Sequence, residues 1–159
     1  MPIKYILAIL RIFMGWIFLW TFLDKLFGFG FSTNHDKSWL NGSSPTLGFL
    51  NSAKGPFEEL FNSIAGTAPV DWLFMMGMLL VGLALIFGIA MKIASWSGSL
   101  IMLLIFSSVL PPKNNPFIDQ HIIYILVLTY LCLTKAGDNI GFGKKWSNIT
   151  LIKKYNWLK

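Results

Sequence analysis

The chain has 159 residues, the length of one domain, and it is 55% apolar with only 13% charged residues, about half the charge of an ordinary soluble domain. That balance excludes a soluble globule of this size and makes the bilayer the natural solvent. Seven Trp and fourteen Phe agree with this, because aromatic rings collect at membrane interfaces. A single cysteine, Cys132, excludes an internal disulfide and any Cys-rich metal or iron–sulfur site.

The first apolar stretch runs Ile3 to Leu23, about 31 Å as a helix and enough to cross the hydrocarbon. It lacks a small-residue cleavage site and carries Arg11 in its middle, so it reads as a span and not as a cleaved signal. Arg11 lies about 12 Å in, where an unpaired cation is costly. No other predicted span offers a carboxylate at that depth. Its partner is therefore backbone carbonyls, water, a ligand, or a carboxylate brought inward by irregular packing. On a helix, Arg11, Gly15, Phe18, Phe22 and Lys25 fall on one stripe. The stripe suits a cavity for a flat, carbonyl-bearing or partly anionic molecule, with Gly15 opening the space. The ordinary reading is that Arg11 and Lys25 snorkel to opposite faces and the Phe rings are core.

Residues 24–71 form a long loop outside the hydrocarbon, since its backbone groups need partners. Within it, Ser44-Pro45 reads as an N-cap and first residue of a short helix, and GPFEELFNSIAG (55–66) as an amphipathic one. Phe57, Leu60, Phe61 and Ile64 share its apolar face. The loop is either an interfacial packing element or a lid over a site.

The second and third stretches, 72–91 and 93–110, are joined by Lys92. Ala84 with Gly88, and Ser95 with Ser99, have the spacing that lets helices approach closely in lipid. The fourth stretch, 117–134, follows Asn115-Pro116, which reads as its N-cap and first residue. On that helix Asp119 sits in the first turn, and the 3.6 period places it about 160° from the face of His121, Tyr124, Leu128 and Cys132. The two are thus not expected to pair. Asp119 is set to meet Lys25, and His121 is either a proton carrier or an interfacial histidine bonded to loop backbone.

Lysines orient the bundle. Lys4, Lys92, Lys135, Lys144, Lys145, Lys153, Lys154 and Lys159 fall on one side with one carboxylate, Asp138, which makes both termini cytoplasmic. The net charge of +6 is mostly this asymmetry; no basic groove or recognition motif marks a nucleic-acid binder. The expected fold is an all-α membrane protein: a four-transmembrane-helix bundle at 1–146, with spans at about 3–23, 72–91, 93–110 and 117–134 and a long outer loop carrying short interfacial helices, then a basic cytoplasmic tail at 147–159 that lies on anionic lipid. No haem, flavin, iron–sulfur or metal motif is present, and the only histidines are His35 and His121.

Several segments together resemble the DoxX/DoxD family of small membrane proteins: Arg11, Gly15 and Lys25 in the first span, SWLNGSSPTLGFL, GPF at 55–57, VDWLFMMGMLLVGLALIFGI and NPFIDQHIIY. The likeness covers roughly residues 5–146 and implies a four-helix bundle in the cell membrane. It also implies a quinone-linked role, because the family's named type is a subunit of thiosulfate:quinone oxidoreductase. On that reading Arg11 with Phe18 and Phe22 holds a quinone head group, while Lys25 and Lys113 draw in thiosulfate or another small anion. His121 and Asp119 handle protons, and Trp39 and Tyr124 complete the ligand-binding set. The alternative is a non-catalytic membrane subunit that anchors or orients a partner on its outer face. A homo-oligomer is compatible with either.

Overall fold

The computed structural model describes residues 2–112, 115 and 117–158, and these are helical or irregular, without a strand. α1 (Ile3–Phe27) opens the chain. The long loop carries two short helices, α2 (Leu47–Leu50) and α3 (Glu58–Ile64), and two 3-10 turns, His35–Lys37 and Trp39–Asn41. α4 (Ala68–Phe87), α5 (Met91–Ser108) and α6 (Gln120–Leu133) complete the bundle. A 3-10 turn at Ala136–Asp138 leads to α7 (Gly143–Ser147), α8 (Thr150–Lys154) and a last turn at Asn156–Leu158.

Three of these helices, α1, α4 and α5, are long and apolar enough to cross a membrane. The fourth, α6, is apolar but has 14 residues, about 21 Å of helix. α1 runs four residues past its predicted end and so includes Asp24 and Lys25. α4 starts at Ala68, not Trp72, with Pro69 in its first turn. It stops at Phe87 because Gly88 takes a left-handed conformation, φ 71°, that a side chain disfavours. Gly88 N–H then bonds Leu85 O at 3.2 Å and Ile89 N–H bonds Ala84 O at 3.0 Å, the pairing of a Schellman cap. The predicted one-residue link at Lys92 is thus replaced by a turn at 88–90, and Lys92 belongs to α5. Gly88 ends a helix instead of pairing with Ala84 as a contact stripe.

The close crossing of α1 and α4 runs through Gly15 and Gly82. A Cβ on Gly82 would stand 2.8 Å from Leu19 N, and one on Gly15 would stand 2.9 Å from Gly82 O and 2.8 Å from Ile86 Cγ1. The space expected beside Gly15 is therefore filled by the partner helix. α1, α4, α5 and α6 meet at Gly98 of α5, where a Cβ would touch Leu128, Val81 and Phe18 within 3.1–3.3 Å. Phe18 is fully buried there, in a core with Met14, Met75, Met78, Leu85, Met102 and Leu131. Ser95 Oγ donates to Leu128 O at 2.9 Å and ties α5 to α6. Such a bond contributes about 1 kcal/mol.

The loop has its own small core of Leu50, Ala53 and Phe61, flanked by Phe49, Ile64 and Val70. The predicted apolar face of α3 is thus only half used, since Phe57 and Leu60 are exposed. Ser44 caps as predicted in kind but not in register. Its Oγ accepts from Leu47 N–H at 3.0 Å and Thr46 N–H at 3.3 Å, and α2 begins two residues after Pro45.

Candidate functional site

The predicted site residues divide between the two ends of the bundle. At the end that carries the termini sits Arg11. Measured from the level of Gly98, Phe18 and Val81, Arg11 lies about 10 Å toward this end, the depth at which α4 stops and α5 starts. α1 continues about 12 Å beyond it. Arg11 is therefore not a cation stranded among intact helices. It faces a helix terminus, where the last four carbonyls have no intrahelical partner.

Those carbonyls can be accounted for one by one. Ala84 O takes Ile89 N–H and Phe87 O takes Phe142 N–H. Leu85 O and Ile86 O take the guanidinium: Arg11 Nη1 donates to both, with Ile86 O at 2.8 Å. Nη2 donates the other way, to Ile140 O at 2.7 Å and Asn139 O at 3.3 Å, in the turn after α6. Arg11 is fully buried, and Nε alone has no hydrogen-bond partner among the described residues. Gly88 and Gly141 close around it: a Cβ on Gly88 would stand 2.8 Å from Nη1 and one on Gly141 3.0 Å from Nη2. The glycine spacing of AGDNIGFG (136–143) was the available signal for this cradle, and sequence reading missed it.

At the opposite end stand Lys25, Asp24, Asp71 and the loop. Lys25 Nζ donates to Pro45 O at 2.9 Å and lies 5.8 Å from the Phe74 ring centroid. Phe22 is buried below it in the core. Trp39 packs edge-on against Trp72 with centroids 4.7 Å apart. Two carboxylates that the sequence reading left without a role hold the loop down. Asp24 accepts from Ser32 Oγ at 2.6 Å, Ser32 N–H at 2.9 Å and Phe31 N–H at 3.3 Å. Asp71 accepts from Ser44 Oγ at 2.8 Å and from Thr46 Oγ1. Asp24→Ala is expected to release residues 28–33, at about 1.5–3 kcal/mol, visible as faster amide exchange there with the α1–α4 core still protected.

Asp119 and His121 correct the sequence reading. Asp119 is the N-cap of α6, with extended backbone (φ −129°), so it lies outside the helical phase. Its side chain folds back: Oδ1 accepts from His121 N–H at 2.9 Å and Oδ2 meets His121 Nδ1 at 2.6 Å. The pair therefore forms, and Asp119 turns to His121 while Lys25 turns to Pro45. The 160° separation assumed a helix starting near Asn115. Asn115 instead closes a turn of its own, accepting from Phe117 N–H at 3.0 Å and Ile118 N–H at 3.2 Å. Pro116 and Lys113 lie outside the described residues. With Asp119 as acceptor, Nδ1 carries the ring proton and Nε2 is the basic nitrogen. Both side chains are mostly shielded, at 15% and 17% exposure, which strengthens the interaction without closing off the ring. Tyr124 is half-buried one turn further on.

A family model, DoxX, matches residues 6–110. The chain belongs to the DoxX family. No curated protein and no solved structure gives a significant match. In this DoxX protein the matched segment takes in Arg11, Gly15, Lys25, Gly82 and the loop, and it ends at the close of α5. The Asp119–His121 pair and the turn that completes the Arg11 cradle both lie beyond it.

Proposed function

We propose that this DoxX-family membrane protein is a component of a quinone-linked oxidoreductase, and that its own chemical part is proton handling at the outer mouth. The reading takes α6 as a fourth, short membrane segment and both termini as cytoplasmic, following the lysine asymmetry. The observation that carries it is the 2.6 Å Asp119–His121 pair at the start of α6. A carboxylate on Nδ1 fixes the ring's orientation and tautomer and leaves Nε2 to take and release a proton. Quinone reduction consumes protons and quinol oxidation releases them, so a positioned proton carrier suits that chemistry, with thiosulfate or another small anion as electron donor.

The carbonyls around Arg11 count against the quinone seat that the sequence suggested. Four carbonyls hold Nη1 and Nη2 of Arg11, and Phe18 has no exposed surface. A ligand could reach Nη1 or Nη2 only by displacing a carbonyl, and Nε is the one guanidinium donor left without a partner among the described residues. This saturation favours the second reading, a non-catalytic membrane subunit in which Arg11 is an internal staple.

The test is turnover in proteoliposomes with thiosulfate and a short-chain quinone, for wild type, His121→Gln and Asp119→Asn. Proton handling predicts folded variants with turnover down about 10²-fold for His121→Gln, and an altered pH profile for Asp119→Asn. Unchanged turnover in both variants, or none in folded wild type supplied with its native membrane partners, would sink the proposal and move the subunit reading ahead.

A further inference from the structure

The end that carries the termini also holds a cleft that the proposed function does not use. It has a volume of about 360 Å³ and lies between the α4–α5 turn, the end of α6 and α7. That is at the lower end of the range for ligand pockets. Lys92 and Lys135 line it from opposite elements, with Asp138 as its one carboxylate, so its lining carries a net positive charge. Cys132 and Ser147 line it as well.

Two features mark the cleft as a built site. Its walls hold two of the three non-glycine residues in left-handed backbone among the described residues, Ala90 (φ 47°) and Lys135 (φ 49°). Each costs of order 1 kcal/mol or more, and such residues cluster at ligand sites. Lys135 is exposed in this conformation and has no salt bridge among the described residues. The second feature is a collar of exposed residues on the segment after α6, the segment that supplies Gly143, Trp146 and Ser147 to the cleft. Ile140, Phe142, Ile149, Leu151 and Trp157 are exposed, and Lys144, Lys145, Lys153 and Lys154 are exposed between them. Apolar side chains among lysines are the surface of a segment seated at the headgroup level of a bilayer. α1, exposing Ile3, Ile6 and Ile9, continues its apolar surface past the level of the cleft. Lipid therefore surrounds the cleft mouth on this reading.

We propose that the cleft binds the phosphate-bearing headgroup of an anionic phospholipid, with Lys92 and Lys135 on the phosphate. The collar supplies diffuse attraction, and the cleft supplies one specific seat. The apolar rim argues for a lipid source over a soluble phosphate ester.

The test uses the full chain in nanodiscs. Cys132 is the only cysteine in the chain, so its alkylation by a neutral maleimide reports on the cleft alone. Phosphatidylglycerol is expected to slow alkylation about fivefold relative to phosphatidylcholine. Lys135→Asn removes the charge yet tolerates left-handed backbone, and Lys135→Gly does so more freely. Either variant should abolish the protection, while Lys144→Asn, on the collar but outside the cleft, should keep it. Native mass spectrometry should show retained phosphatidylglycerol falling in the same Lys135 variants. Equal loss in the Lys135 and Lys144 variants would reduce the effect to diffuse charge and overturn the proposal. So would equal alkylation in both lipids. Protection by soluble sn-glycerol phosphate in phosphatidylcholine discs would overturn the lipid assignment.

Discussion

Arg11→Ala lowers the stability of the detergent-solubilised protein by about 3–5 kcal/mol, because a buried network loses its only cation. The estimate rests on four acceptors. Leu85 O and Ile86 O end α4, and Asn139 O and Ile140 O belong to the turn after α6. Each bond from a charged donor contributes about 1.5–3 kcal/mol, and the terms are not additive. Truncation leaves Ile86 O, Asn139 O and Ile140 O without that donor in a place water reaches poorly, while Leu85 O keeps only Gly88 N–H. It also disconnects three elements far apart in sequence. Arg11→Lys keeps the charge but loses the planar fork that faces both sides at once. It should therefore recover less than half of the loss. Chemical unfolding followed by tryptophan fluorescence measures this. A stable, folded Arg11→Ala, within about 0.5 kcal/mol of wild type, would remove the staple. If that variant also lost quinone turnover, Arg11 would return to the ligand-binding role its sequence position suggested.

Gly82→Ala should also be destabilising, against the local preference of the helix. Alanine is favoured over glycine inside a helix by about 1 kcal/mol, so propensity alone predicts a gain. The tertiary term decides otherwise. The new methyl would stand 2.8 Å from Leu19 N and 3.1 Å from Gly15 O, and backbone atoms cannot rotate away. α1 and α4 must separate, which opens the packing around Phe18 and Val81 and loosens the hold of Arg11 on the end of α4. Overpacking of this kind costs about 1–3 kcal/mol. Gly77→Ala on the same helix is the control. Its methyl would meet only the tip of Ile101, at 2.8 Å, which can shift to another rotamer. It should be close to neutral. Thermal unfolding of the pair in one detergent separates the two terms: equal effects would mean that propensity, not the crossing, governs α4.

The same contrast explains what could be read in advance. Three long apolar helices, the loop outside them and the capping role of Ser44 were legible, because hydropathy, charge and caps are local properties. Register was less so. α4 stops at Phe87 and not Met91 because Gly88 is left-handed, and nothing in the local pattern fixed which residue would turn. Asp119 was read inside a helix of constant phase. It is the residue that starts the helix, and that single shift turns the expected partner of Lys25 into the partner of His121. For Arg11 the sequence left carbonyls, water, a ligand or an inward carboxylate open, and the structure supplies carbonyls. A linear count placed it deep in α1, while its environment depended on where α4 and α6 end.

By itself, then, the sequence determined the solvent, the helices, the stripe from Arg11 to Lys25 and the charge bias along the chain. These follow from side-chain transfer energies and backbone preferences that act over a few residues. The tertiary structure alone decided that the stripe is core, that Gly15 and Gly82 are a crossing point, that Asp24 and Asp71 moor the loop, and that Arg11 closes the orphan carbonyls of one helix and one turn. Each of these depends on the relative depth of helix ends, which is set by packing between segments distant in the chain.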